Sequence, residues 1–299
     1  MMFRRTTIAL SGALLLAATG CGSNSLSGSG SSSAPPSSPS SASAQPDLKS
    51  KLPPKIASAG KIVVGTDATY APNEFLQGGN KVVGMDVDLF DAVAQKFGVT
   101  VQWQPAGFDT IIAGVTSGKY DVGVSSFTIN PQRKQVVNMV SYFNAGTQWA
   151  TAKGNPKGVD PDNACGKTVA VQKGTTQLQD DMPKRQAKCK AAGKPNINLV
   201  IREKQDQATA DVATGKADAM LADSPVVLYA AKQSGGKIEA LGTIYDAAPY
   251  GYVIPKAQTD FAAAIVEALK QLDADGTYKS ILSKWGNESG AITNFAVNP

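Results

Sequence analysis

Few side chains in this sequence can do chemistry, and what is missing narrows the field first. There is no histidine, which removes a His-based triad, a His metal site and His general-base catalysis together. The three cysteines, Cys21, Cys165 and Cys189, contain no CxxC and do not make a zinc site. Among the capable residues, Asp67, Arg133 and Asp223 stand in polar loops beyond short apolar runs. A guanidinium stays charged at any relevant pH, and its fork suits planar, bidentate recognition of a carboxylate. The plain alternative for Arg133 is a solvated surface arginine beside Lys134. A carboxylic acid held in a cleft with a raised pKa could act as acid or base. The plain alternatives are a cap for Asp67 and a solvated loop position for Asp223, ahead of Ser224 and Pro225.

The elements that must position these loops occur twice. Val-Ala-Thr-Gly-Lys-Ala-Asp at 212–218 echoes Val-Thr-Ser-Gly-Lys-Tyr-Asp at 115–121, and each copy runs into a short apolar stretch and then small polar residues. Upstream, Gly-Lys-Ile-Val-Val-Gly at 60–65 resembles Gly-Lys-Thr-Val-Ala-Val at 166–171. The order strand, polar loop, helix, Gly-Lys turn, Asp-led strand, polar loop therefore repeats. Open α/β sheets bind ligands at the carboxyl ends of their strands. Two such lobes can set their strand-end loops face to face across a cleft.

The spacing predicts a strand over 61–65 and a polar loop over 66–72. A helix from 84 follows, with Phe90, Val93, Ala94 and Phe97 on one face and Gly98 as its stop. A strand over 99–103, a helix over 108–117 and a strand over 121–125 complete the first copy. The second copy predicts strands over 168–171, 197–201 and 217–221, and helices over about 176–190, over 205–214 and from Pro225. The chain is expected to cross between the copies at 147–151 and to return at 245–254, making a hinge. Helices over 261–272 and 278–285 then pack on the first lobe.

The chain of 299 residues has room for two domains. Its net charge of +5 misleads, because residues 1–55 carry five basic residues against Asp47 alone, leaving +1 for 56–299. No basic stripe appears, so no nucleic-acid partner is expected. Arg4 and Arg5 precede an apolar run over 8–18 that is too short to span a bilayer, the plan of a signal peptide over 1–20. Cys21 follows Ala18-Thr19-Gly20, which resembles the lipobox of bacterial lipoproteins apart from Ala18, where leucine is commoner. The alternative is an ordinary secretory signal with an incidental cysteine. Residues 21–55, rich in Ser, Pro and Gly, are expected to form a lipidated cysteine followed by a disordered tether. In an exported domain Cys165 and Cys189 favour a disulfide over two free thiols.

Five segments in order carry a resemblance: Gly-Thr-Asp-Ala-Thr-Tyr-Ala-Pro at 65–72, Gly-Met-Asp-Val-Asp-Leu at 84–89, Ser-Ser-Phe-Thr-Ile-Asn-Pro-Gln-Arg at 125–133, Val-Ala-Val-Gln-Lys-Gly-Thr-Thr-Gln at 169–177, and 218–223. The folded region resembles the amino-acid class (family 3) of bacterial extracellular solute-binding proteins, the receptors of ABC importers. The resemblance covers about residues 56–286. It implies an α/β, two-lobe, periplasmic-binding-protein-like (type II) fold with a double-crossover hinge. Lobe I is expected over 56–147 and 247–299, and lobe II over 148–246.

The resemblance also implies the site. Arg133 matches the arginine that grips the ligand α-carboxylate, and Asp223 the acid for the α-ammonium. Ser126 and Thr128 offer hydroxyls and backbone groups. Gln172, Thr175 and Thr176 belong to the segment that opens the lobe II helix, where amides and helix dipole favour a carboxylate. Tyr70 and Phe108 match aromatic walls, and Asp67 a position that reads a polar or cationic side-chain tip. Asn73 departs from a phenylalanine common in the family, which leaves the floor of the side-chain pocket, and with it the choice of ligand, open.

The expected protein is thus a lipid-anchored, extracytoplasmic, monomeric receptor. It takes a polar or basic amino acid to a membrane permease, with no cofactor, no metal and no catalysis. The competing reading is a cleft enzyme of dehydratase type using Asp67 or Asp223 as acid/base.

Overall fold

The computed structural model describes residues 46–299. The expected signal peptide and the expected lipidation at Cys21 lie outside the described residues. The described chain opens with two short helices, α1 (Pro46–Lys49) and α2 (Pro54–Ala59). Leu48, Leu52 and Ile56 are buried in the first core. This corrects the expectation of a disordered tether through residue 55. Leu48, Leu52 and Ile56 are large apolar residues that a composition argument, dominated by the upstream serines, averages away.

The first copy then builds β1 (Lys61–Thr66), β2 (Thr69–Tyr70), β3 (Glu74–Gln77), β4 (Lys81–Val83), α3 (Met85–Lys96), β5 (Thr100–Pro105), α4 (Phe108–Thr116), β6 (Val122–Gly123) and α5 (Pro131–Val136). β7 (Val137–Ala152) leads across. The second copy contains β8 (Thr168–Gln172), a π-helical turn over Gln177–Asp181 running into α6 (Met182–Ala191), β9 (Asn198–Arg202), α7 (Gln205–Ala213), β10 (Ala219–Asp223) and α8 (Ser224–Gln233). β11 (Ile238–Pro255) returns, and α9 (Thr259–Ala274) and α10 (Thr277–Trp285) close the fold.

One eight-stranded sheet runs β5-β1-β6-β11-β7-β10-β8-β9. Its two ends are parallel: β1 pairs β5 and β6, and β8 pairs β9 and β10. The antiparallel pair β7 and β11 joins them. These strands have 16 and 18 residues, about three times the usual length, because each serves both lobes. Register shifts between Leu241 and Tyr245, Tyr245 and Ala248, and Tyr250 and Gly251 bend the pair where it passes from one lobe to the other. This is the double crossover of the two-lobe type II fold. The boundaries expected at 147/148 and 246/247 fall inside β7 and β11.

Each lobe packs its own core. In lobe I, Phe90, Val93, Ala94 and Phe97 present the expected stripe of α3 to Val64, Tyr252 and Leu269. In lobe II the pleat of β10 divides its side chains, with Met220 and Ala222 in one cluster and Ala219 and Leu221 in the other. Cys165 and Cys189 form a disulfide that ties the loop before β8 to α6.

The echo has a shared structural reason. Gly118 (φ 79°) and Gly215 (φ 74°) turn the chain after α4 and α7 in the left-handed region, which costs glycine nothing. Asp121 then accepts the Val63 N–H at 2.9 Å, and Asp218 accepts the Thr168 N–H at 2.8 Å. Each aspartate thus pins its strand to the first strand of its own lobe. The small sheet β2-β3-β4 was not legible in the sequence, since strands of two to four residues are too short to show alternation.

Candidate functional site

The carboxyl ends of β1, β6, β8 and β10 converge between the lobes, and the loops beyond them carry the expected residues. All ten expected ligand contacts line one cavity, together with Ser125 and Gln177. The cavity is about 10 Å³, room for roughly one water molecule. A solute therefore enters only as the lobes part and some cross-cleft bonds are exchanged for its own.

Asp67 leaves the end of β1 and is 3 % exposed. Its N–H donates to Ser125 Oγ at 2.9 Å. Its carboxylate accepts from Thr69 Oγ1 at 2.8 Å and, across the cleft, from Gln172 Nε2 at 2.5 Å. Burial pushes its pKa up to about 6, against the opposing effect of those bonds.

Asp223 ends β10 and is 6 % exposed. It accepts from Tyr70 Oη at 2.9 Å, Tyr250 Oη at 2.8 Å and Gln177 Nε2 at 2.7 Å. Burial raises its pKa as well. Every hydrogen-bond donor on these two carboxylates is neutral.

Arg133 sits on α5, whose start is capped by Asn130 Oδ1 accepting the Arg133 N–H at 2.8 Å. The guanidinium is buried over two rings, Phe108 at 5.6 Å and Phe127 at 5.3 Å, which stack on each other at 4.6 Å. Its nitrogens donate to the carbonyls of Thr128 at 2.8 Å and Gly174 at 3.1 Å, the latter in the other lobe. Burial lowers its pKa to about 10, so it stays charged at neutral pH. No carboxylate shares its hydrogen bonds.

The Thr175 hydroxyl donates to the Gln172 carbonyl at 2.7 Å and accepts the Leu178 N–H at 3.3 Å, so it caps the turn while lining the cleft. The expected helix over 176–190 instead opens as a π-helical turn, which aims Gln177 at Asp223 and at Thr147 Oγ1, 3.1 Å away. Ser126 adopts φ 52°, and Thr128 and Thr176 complete the wall. Phe108 is both wall and core, stacking on Phe127 while lining the cavity.

Asn73 does not line this cavity. Its amide donates to Ser126 Oγ at 2.9 Å from beneath. Sequence reasoning missed Ser125, Gln177 and Tyr250. It also missed the buried acids Glu74 and Asp86 under the floor. Ser125 and Gln177 adjoin expected residues in the repeated loops and were within reach. Tyr250, Glu74 and Asp86 carry no sequence signal of burial. Among the described residues no group of three or more His, Cys, Asp and Glu side chains could hold a metal ion, and no helix is long and apolar enough to cross a membrane.

The sequence profile of the bacterial extracellular solute-binding proteins, family 3, matches residues 62–288. The arginine-binding protein ArgT of Corynebacterium glutamicum is 36 % identical over 253 residues, which cover 85 % of this chain and 83 % of that protein. The structure of an ancestral arginine-binding protein bound to arginine superimposes with a TM-score of 0.69 at 34 % identity, covering 76 % of this chain and 98 % of the other. An ancestral amino-acid-binding protein described as a precursor of cyclohexadienyl dehydratase gives 0.68 at 32 % identity, covering 77 % and 97 %.

Proposed function

The chain belongs to the bacterial extracellular solute-binding proteins, family 3, and from that premise we propose that its cleft selects a cationic L-amino acid, arginine before others. The protein is an extracytoplasmic receptor that binds an amino acid between two lobes and delivers it to an ABC transporter permease. The charge inventory of the cleft carries the choice of ligand. Two buried carboxylates, Asp67 and Asp223, hydrogen-bond only to neutral donors, and one buried guanidinium, Arg133, bonds only to carbonyls. Buried charges are costly unless paired. A solute with one carboxylate and two cationic groups pairs all three, whereas a neutral zwitterion leaves one acid unmatched.

In this reading Arg133 takes the α-carboxylate, helped by Thr128, Thr175 and Thr176. Asp223 takes the α-ammonium beside Ser126, and Asp67 with Gln172 takes the side-chain cation between Tyr70 and Phe108. Closure replaces the solute's water with these groups, so affinity and hinge position are linked. The arginine-binding relative and the arginine-bound ancestral structure support the same choice. We further propose attachment to the outer face of the membrane through a lipid on Cys21, a monomeric state, and no catalytic activity. Burial accounts for the raised pKa of both acids without an acid/base role.

Calorimetry and thermal shift with L-arginine, L-lysine, L-glutamine and L-glutamate test the ligand. At a hundred times its dissociation constant a ligand stabilises the fold by about 2.7 kcal/mol. Arginine or lysine is expected to bind most tightly. Tighter binding of glutamate or glutamine ends the cationic reading, and turnover of a cyclohexadienyl substrate would revive the enzyme.

A further inference from the structure

Directly beneath the cleft lie two acids that the ligand reading does not use. Glu74 begins β3 and Asp86 stands in the first turn of α3, and both are fully buried. Ser125 and Ser126, which line the cavity above them, sit on these carboxyls. Glu74 Oε1 accepts from Ser125 Oγ at 3.1 Å. Asp86 Oδ2 accepts the Ser126 N–H at 3.0 Å and Tyr142 Oη at 2.5 Å. Ser126 Oγ is 3.2 Å from both Glu74 Oε2 and Asp86 Oδ2, yet it has one hydrogen to give. Asn73 already fills an acceptor site on that oxygen.

The donors therefore run out. Asp86 Oδ1 is buried with no hydrogen-bond partner, and Glu74 lies within hydrogen-bonding reach of Asp86. An O–H on Glu74 directed to Asp86 adds a donor to that carboxylate and frees the Ser126 hydroxyl for Asp86 Oδ2.

We propose that Glu74 and Asp86 share one proton, carried on Glu74, and that this carboxylic acid–carboxylate pair is the positioning device that locks the Ser125–Ser126 turn in its binding geometry. The turn needs such a lock, because Ser126 holds φ 52° in the left-handed region. Its N–H and hydroxyl are both tied to the pair. The groups that face the pair are Asp67 from the end of β1, Tyr70 from β2, Tyr142 from β7 and Tyr252 from β11, all acids or phenols. Among the described residues no lysine or arginine forms an ion pair with either carboxyl. Two like charges at this spacing without a cation cannot both persist in a buried site. Burial moves both groups the same way, Glu74 well above the usual carboxylate range and Asp86 to about 6. The value of the turn for binding rests on the reading of Ser126 as a ligand contact.

The sign of the pH effect follows. Folded Glu74 keeps a proton that the unfolded chain loses above the ordinary carboxylate range. Glu74 therefore makes the fold less stable as pH rises, by up to tenfold in the folding constant per pH unit, until its folded pKa is passed. Glu74→Gln donates from an amide at every pH and removes that slope.

The test uses the full chain, wild type and Glu74→Gln, melted without ligand from pH 5 to 8.5. The melting temperature of the variant minus that of wild type is expected to grow with pH. An infrared band of a protonated carboxyl is expected in wild type at pH 7.5 and absent from the variant. L-Arginine affinity of wild type is expected to fall where the melting difference levels off as Glu74 loses its proton, while that of the variant stays flat. Parallel melting profiles overturn the proposal. If Glu74→Gln fails to fold, the infrared spectrum of wild type decides alone, and absence of the band overturns the proposal. Should L-arginine not bind wild type while the melting slope and band are present, the choice of ligand falls and the shared proton stands.

Discussion

Tyr70 and Asp223 bond to each other in both directions across the cleft. The Tyr70 hydroxyl donates to Asp223 Oδ2 at 2.9 Å and accepts the Asp223 N–H at 3.1 Å. One phenol in lobe I thus reads both the side chain and the backbone at the end of β10 in lobe II. With Asp67–Gln172 and Arg133–Gly174 it makes three cross-cleft ties between the residues expected to hold a ligand. Groups proposed to bind the ligand are also groups that close the cleft.

Arg133→Lys is expected to weaken amino-acid binding at least tenfold while leaving the melting temperature of the unliganded protein nearly unchanged. The ammonium keeps the charge but cannot meet two carboxylate oxygens and the Thr128 and Gly174 carbonyls together. Titration calorimetry measures it, and equal affinities would remove Arg133 from the site.

Asp67→Asn is expected to cost L-arginine or L-lysine more than L-glutamine. The amide preserves shape and one acceptor for a neutral ligand, but a cation loses its partner in a partly dehydrated site. The pH profile sharpens the test. With the Asp67 pKa pushed up to about 6, wild-type affinity for a cationic ligand should decline as pH falls through that value, because the protonated acid no longer pairs. The variant should show no such decline. Matching losses for both ligand types would return Asp67 to a turn-capping role.

Gly174→Ala tests the coupling of closure to affinity. Gly174 adopts φ 79°, and a Cβ there would stand 2.8 Å from Asp109 Cβ in lobe I. The backbone strain alone costs about 1 kcal/mol, seen as a slightly lower melting temperature. The wedge between the lobes should raise the ligand dissociation rate severalfold and leave association nearly unchanged. Stopped-flow kinetics would contradict the idea by showing an unaltered dissociation rate.

Reducing the disulfide is expected to lower the melting temperature without abolishing binding. Cys165 and Cys189 close a loop with a sequence separation of 24, worth about 3 kcal/mol in the chain-entropy model. The bridge lies in the lobe II core cluster with Trp149 and Val169 and does not line the cleft. Melting curves with and without reductant check this, and superimposable curves would refute it.

The sequence by itself determined the repeated architecture and the loops that carry the site. Gly118 and Gly215 announce turns, Asp121 and Asp218 lead pinned strands, and Ser126 and Asp223 stand at corresponding places beyond those strands, all through local patterns that repeat along the chain. Periodicity also placed the buried stripe of α3. Such features are legible because residue type and spacing encode them within one or two turns of chain.

Only the tertiary structure decided which polar residues lose their water. Glu74 carries no local signal of burial and Asp86 stands where the helix from 84 opens, yet the packing of β3 and α3 against Tyr142 of β7 leaves both fully buried. Asn73, whose place relative to the side-chain pocket the sequence left open, supports Ser126 from below. Tyr250 reaches Asp223 from the crossover strand β11, next to the register shift between Tyr250 and Gly251. Burial depends on what arrives from distant segments, such as Ser125, 51 residues from Glu74, and Tyr142, 56 residues from Asp86, and no local spacing records it. The charges proposed to choose the ligand are therefore written in the sequence as residues but acquire their energy only when the two lobes exclude water between them.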